Sequence, residues 1–196
     1  MRLSIVSSLF ICFAGAALAL HSEQRPLIEA KAGYFFFTST MGKVYDEGGV
    51  DIQLSGSYPV YSVLHVYGSV EYLQKSGHSL NGDQKTSLWA APISLGLRPV
   101  IPITQKVDYY FTLGPRYFFV YTHNRSSYVP EHMNSNGIGG FANTGFLFNL
   151  GSHFTLDLFG EYSYTKLKFH PHKHETQTGD TVLSGFTFGG GLGYSF

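Results

Sequence analysis

The chain has 196 residues, with 13 Lys+Arg against 13 Asp+Glu, and only 13 % of it is charged, about half of the roughly 25 % usual in soluble domains. That balance offers no basic field for nucleic acid and no acidic field for a basic partner, and the length suits one domain. Aromatic residues reach 16 %, glycines number 23 and the mean hydropathy is −0.01, so the apolar character is spread through the chain.

The one long apolar run comes first. Arg2 precedes an uncharged stretch, Leu3 to Leu20, that holds Ala17-Leu18-Ala19. A positive start, an apolar centre and small residues at −3 and −1 predict a secretory signal peptide over 1–19 and a mature domain over 20–196. An anchoring helix is the alternative, since about 18 apolar residues span a bilayer, but polar His21-Ser22-Glu23-Gln24 follows at once. Cys12, the single cysteine, lies in the leader behind bulky Ile11, which argues against lipidation and leaves the mature chain without a disulfide. Losing Arg2 with the leader leaves 12 basic and 13 acidic residues, a net charge of −1.

After Pro26 the sequence alternates apolar with small or polar residues in segments of about ten to fourteen. Eight strands are predicted, near 28–38, 50–58, 63–74, 87–98, 108–121, 138–149, 154–167 and 181–196. Long polar connections at Ser39–Gly49, Lys75–Thr86, Thr122–Gly137 and Lys168–Asp180 alternate with mostly shorter ones at Tyr58–Ser62, Pro99–Val107 and Leu150–His153. Long loops on one side and short turns on the other are the pattern of outer-membrane barrels. The recurrence of about 40 residues does not make a propeller, because each unit holds two strands where a blade needs four.

The faces decide between membrane and water. In the last strand, Phe186, Phe188, Leu192, Tyr194 and Phe196 oppose Gly185, Thr187, Gly189, Gly191, Gly193 and Ser195. Strand two sets Val50, Ile52 and Leu54 against Asp51, Gln53 and Ser55, and strands five and seven split in the same way. A soluble lipocalin-like barrel would turn the second face to water, yet that face lacks the Lys and Glu of a solvated surface. Bilayer-spanning β-structure must close on itself, since lipid cannot satisfy an open edge. The expectation is therefore an all-β fold, a closed antiparallel eight-stranded up-and-down transmembrane β-barrel with lipid-facing apolar residues outside. With both termini in the periplasm, Tyr58, Tyr109, Tyr194 and Phe196 fall at one rim and Tyr72, Trp89, Tyr121 and Tyr164 at the other, as two aromatic girdles.

On these features the chain resembles the small outer-membrane barrels of the OmpA and OmpX type. Terminal Phe196, with Tyr194 and Leu192 at alternate positions before it, resembles their assembly signal. The resemblance implies location in a Gram-negative outer membrane and contact with its lipid and lipopolysaccharide. It also implies partnership with periplasmic chaperones and the barrel-insertion machinery during assembly. The peptidoglycan-binding domain of OmpA has no counterpart here.

An eight-stranded barrel is just wide enough inside for side chains to fill it. Parity turns Glu29, Lys31, Asp51, Gln53, His65, Glu71, Arg98, Arg116, Asn143, Asp157 and Glu161 inward. Their charges should pair, since unpaired buried charge is costly, with Arg98 and Arg116 on adjacent strands at the centre. A plug of salt bridges is the expectation and a narrow gated pore the alternative. A lipid A-modifying enzyme is a third reading, but the His-x-Ser pair of lipid A deacylases occurs nowhere. His123 and Ser126 are three apart, and His153 with Thr155 sits at a periplasmic turn. No catalytic residue and no cofactor is assigned. His170, His172 and His174 share one face if extended, a candidate Zn or Cu site in a loop that also suits plain solvation. Arg125, Tyr128, Pro130, His132 and Met133 make the third loop a candidate interaction or adhesion surface for a host or cell-surface ligand.

Overall fold

The structure, a computed structural model, describes residues 25–39, 48–78, 85–124, 132–169 and 180–196. Eight strands follow in chain order: β1 (Leu27–Phe37), β2 (Gly48–Tyr61), β3 (Leu64–His78), β4 (Lys85–Pro102), β5 (Val107–Asn124), β6 (His132–Asn149), β7 (Phe154–Phe169) and β8 (Asp180–Ser195). Each pairs antiparallel with the next, and β8 pairs with β1, so the sheet is a closed barrel without an edge.

Strict alternation produces this shape. On β2, Val50, Ile52 and Leu54 are more than half exposed on the outer wall, while Asp51, Gln53 and Ser55 are at most 5 % exposed inside. The apolar wall carries no water-soluble surface, which is what a hydrocarbon environment selects. Following paired residues once round the barrel returns to β1 about ten residues further on, so the strands are tilted and hydrogen-bonded rows climb the wall. One end holds Arg25, Phe196 and the short turns. The other holds the long connections.

The strands run past their predicted limits at several places. β6 begins at His132 instead of 138, because the β5–β6 ladder continues without a break to His123↔His132. The segment His132-Met133-Asn134-Ser135-Asn136 has weak strand propensity, but the β5 edge beside it supplies the missing partners. β4 continues through Pro99 to Pro102, where a turn was expected. The β2–β3 connection shrinks to Ser62 and Val63, after a bulge between Pro59 and Tyr61. Ser62, at φ 25°, is the one non-glycine residue of positive φ among the described residues, as a tight hairpin turn requires.

The closing seam between β8 and β1 depends on glycine. A Cβ on Gly189 would collide with the carbonyl oxygen of Ala32 and the backbone of Gly33, and one on Gly33 would lie 2.8 Å from Thr187 Cγ2. Two backbones can approach this closely only where neither carries a side chain between them.

Candidate functional site

The lumen contains the chemistry-bearing residues, in layers. All eleven side chains expected to face inward are buried, none above 7 % exposed. They form two groups, where a single network centred on both arginines was expected. Nearer the terminal end, Arg98 Nη1 donates to Glu29 Oε2 at 2.6 Å and Arg98 Nε to Thr112 Oγ1 at 3.0 Å. Lys31 Nζ lies 2.5 Å from Asp157 Oδ2 and 3.2 Å from Glu29 Oε1, and the Tyr110 hydroxyl donates to Asp157 at 3.0 Å. Two cations meet two carboxylates, so this layer is neutral.

Nearer the loop end, Arg116 bridges two acids. Its Nη2 reaches Glu71 Oε1 and its Nη1 reaches Glu161 Oε1, each at 2.5 Å, while Nε donates to Ser94 Oγ at 2.7 Å. Gln53 Nε2 and Ser69 Oγ also donate to Glu71 Oε1, at 2.7 and 3.0 Å, and Asn143 Nδ2 donates to Glu161 Oε2 at 2.9 Å. Asp51 lies in this layer and belongs to none of these ion pairs. His65 is inward as expected, yet neither ring nitrogen has a hydrogen-bond partner.

Aromatic rings join the layers. The Arg98 guanidinium sits 4.1 Å from the Tyr67 ring centroid and 4.3 Å from that of Tyr110. Tyr67 packs on Phe141 at 5.9 Å, and Phe141 lies 4.6 Å from the Arg116 guanidinium, whose distance to Phe118 is 5.9 Å. Each guanidinium therefore lies beside two rings, and the Tyr67–Phe141 pair joins the two sets in a cation–π chain through the lumen. The rings of Tyr67, Tyr110, Phe118 and Phe141 were not anticipated. Counting by twos from His65, Arg116 and Asn143 places each of them inward and would have found them.

The ends of the lumen differ from its polar middle and from each other. At the loop end Phe35, Leu73, Leu88, Ala90, Phe118, Val120, Leu167 and Leu183 form a buried apolar cap. At the terminal end a smaller cluster, Leu27, Val100, Tyr110, Leu147 and Phe159, floors an open vestibule of about 320 Å³. Apolar side chains take inward positions at both ends because strands that outrun the polar middle still alternate, and Leu183 on β8 and Phe159 on β7 fall on the inner parity.

Outside, Trp89 stacks on Tyr121 with centroids 5.3 Å apart at the loop-end rim. Tyr194 packs between His153 and Phe154 at the terminal rim, where His153 Nδ1 lies 2.9 Å from the Ser195 carbonyl. Leu192, Tyr194 and Phe196 all point outward, 61, 41 and 60 % exposed. His170, His172 and His174 lie outside the described residues, as do Arg125, Tyr128 and Pro130 and the side chains of His132 and Met133. Among the described residues no three His, Cys, Asp or Glu side chains converge as a metal site.

The sequence model of the outer membrane protein beta-barrel domain family matches residues 5–196. No curated protein matches the chain. Among solved structures, the chain is similar in fold to Neisserial surface protein A, with TM-score 0.61 and 15 % identity over 87 % of this chain and 97 % of that one. OprG of Pseudomonas aeruginosa gives 0.61 and 15 % over 88 % and 97 %. Ail, the attachment invasion locus protein of Yersinia pestis, bound to the heparin analogue sucrose octasulfate, gives 0.59 and 19 % over 89 % and 100 %.

Proposed function

We propose that this protein, which belongs to the outer membrane protein beta-barrel domain family, is a non-conducting, non-enzymatic barrel whose purpose is to hold four long loops at the cell surface for recognition of an external ligand. The observation that carries this reading is the filled lumen. Two ion-pair layers, a stack of rings and an apolar cap occupy the axis, which leaves the loops as the part free to vary and to bind. Arg25 and Phe196 share the end opposite the long connections, which supports an orientation with that end in the periplasm and the loops outside.

The ligand class is the finer part of the proposal. The structure with a heparin analogue is that of Ail, and a sulfated or otherwise anionic cell-surface polymer is the class we carry over for the loops here. Arg125, Lys168, Lys173 and the His170–His174 run supply the basic side chains. The outward Leu192, Tyr194 and Phe196 are proposed as the strand read by the insertion machinery, with periplasmic chaperones acting before it. His170, His172 and His174 remain a proposed metal-binding set only as an accessory to the loop surface.

Planar-bilayer recording and binding to immobilised heparin test the reading together. The purified barrel should give no steady channel current. It should also bind heparin saturably, in a salt-dependent way that disappears when residues 125–131 and 170–179 are replaced by Gly-Ser linkers. Stable open channels would replace it with the pore reading. Unchanged binding after loop replacement would remove the recognition role.

A further inference from the structure

The vestibule at the terminal end has the features of a built ligand site. Among its polar groups is His65, 5 % exposed, with no hydrogen-bond partner at either ring nitrogen. A buried imidazole with both edges unmet is rare in a settled interior, and this one lines a cavity of about 320 Å³ that opens at the barrel mouth. On the wall, Asn149 Nδ2 donates to Asp108 Oδ2 at 3.1 Å and Thr155 Oγ1 donates to Asn149 Oδ1 at 3.4 Å, so carboxylate and amide are held side by side. Ser57 and Ser195 add hydroxyls. The floor beneath them, Leu27, Val100 and Leu147, is apolar.

We infer that the vestibule binds a small neutral polyhydroxylated molecule of monosaccharide size. Hydroxyl groups donate and accept at once, which matches a wall made mainly of groups that do the same. The carboxylate–amide pair presents an acceptor and a donor at the spacing of two vicinal hydroxyls. The C–H face of a sugar ring covers the apolar floor. Charged ligands are not favoured, because Asp108 begins β5 while Arg25 precedes β1, on the opposite side of an eight-stranded ring. One charge of each sign leaves the lining without a net charge to select an ion. The cavity suits a ligand of this size, at the small end of known ligand pockets. Only the assignment of this mouth to the periplasm rests on the orientation proposed above; the binding itself does not.

The test uses the mature protein in a zwitterionic detergent without a sugar headgroup, since an alkyl glucoside would occupy the same site. D-glucose, D-galactose and N-acetylglucosamine are titrated while the side-chain NMR signals of His65 and Asn149 are followed, with acetate and ethylammonium as charged controls. At least one sugar should shift both signals saturably. His65→Leu should weaken that binding at least tenfold, and octyl glucoside should compete. Asn149→Ala, at the mouth and outside the ion-pair layers, is the second variant should His65→Leu fail to fold, and it should weaken binding by a similar factor. No saturable shift with any sugar, equal binding by the folded variants, or tighter binding of either charged control would overturn the proposal. Loss of heparin binding at the loops would leave this result untouched, so the two proposals fail separately.

Discussion

Arg98 donates to Glu29 and lies between the faces of Tyr67 and Tyr110, so its removal leaves two carboxylates, Glu29 and Asp157, sharing the one cation of Lys31 in a dry layer. Breaking one partner of a buried pair costs about 3–5 kcal/mol. Arg98→Met should lower the unfolding free energy of the barrel by an amount of that order, measured by urea titration in lipid vesicles. Adding Glu29→Gln should recover part of the loss, because the excess negative charge goes with it. Asp51 is the opposite case. Its layer holds three carboxylates, Asp51, Glu71 and Glu161, against the single guanidinium of Arg116. Asp51→Asn breaks no ion pair and removes like-charge repulsion, so the same titration should show equal or higher stability. A loss comparable to that of Arg98→Met would contradict the charge count. Which of the charged residues face inward was legible from parity alone, since side chains alternate in a strand wherever no bulge intervenes. Which of them meet was not. Arg98 and Arg116 sit on neighbouring strands, but pairing rows climb the tilted wall, and the climb is fixed by closure of the whole ring. No local feature of the sequence states that offset.

At the scale of strands, β8 is built for two contacts at once. Its inner parity is glycine where β1 presses against it, and its outer parity ends in Leu192, Tyr194 and Phe196. Gly189→Val should therefore block closure: the protein should lose the fast-migrating folded band in unheated gel electrophoresis, while Gly160→Ala, on the roomier outer wall, keeps it. Deleting Phe196 should act differently. Refolding of the purified protein into detergent should be nearly normal, with a several-fold drop in the amount assembled in cells, if the strand is an assembly signal. Equal amounts in cells would remove that role. The eight strands were legible because each carries an outer face of four or more apolar residues at alternate positions. Their ends were not, as β6 shows: His132 to Asn136 becomes strand only because β5 offers an unbroken edge. β4 hides its true length in the same way, with Pro92 in mid-strand where the β3–β4 ladder has no bridge, and Pro99 reading as a turn. Proline signals a break in isolation, but one ladder partner can be missing when the other side is paired.

For the molecule as a whole, the two mouths of the lumen are unlike. The loop end is closed by Phe118, Leu88 and their neighbours, and the terminal end opens into the vestibule. The seals stand in series, the apolar cap above and the ion-pair layers below. Leu88→Ser with Phe118→Ser should therefore leave the barrel electrically silent in planar bilayers. Current should appear only when Arg98 and Arg116 are also replaced by alanine. A cap variant that conducts would show that the charged layers do not block the axis. Barrel size made a filled interior legible in advance, but the cap was not, because the inward apolar residues at the loop end belong to six different strands and form a cluster only once the ring is closed.

The stacked pair at the loop-end rim gives the molecule a built-in optical gauge. Trp89 is the only tryptophan in the chain, and it lies on the rim opposite the short turns and Phe196, against Tyr121. When the unfolded chain is mixed with vesicles, its emission can report only one place, the far interface. A brominated lipid that quenches there, and not in the near leaflet, would time the last stage of crossing without any label being added.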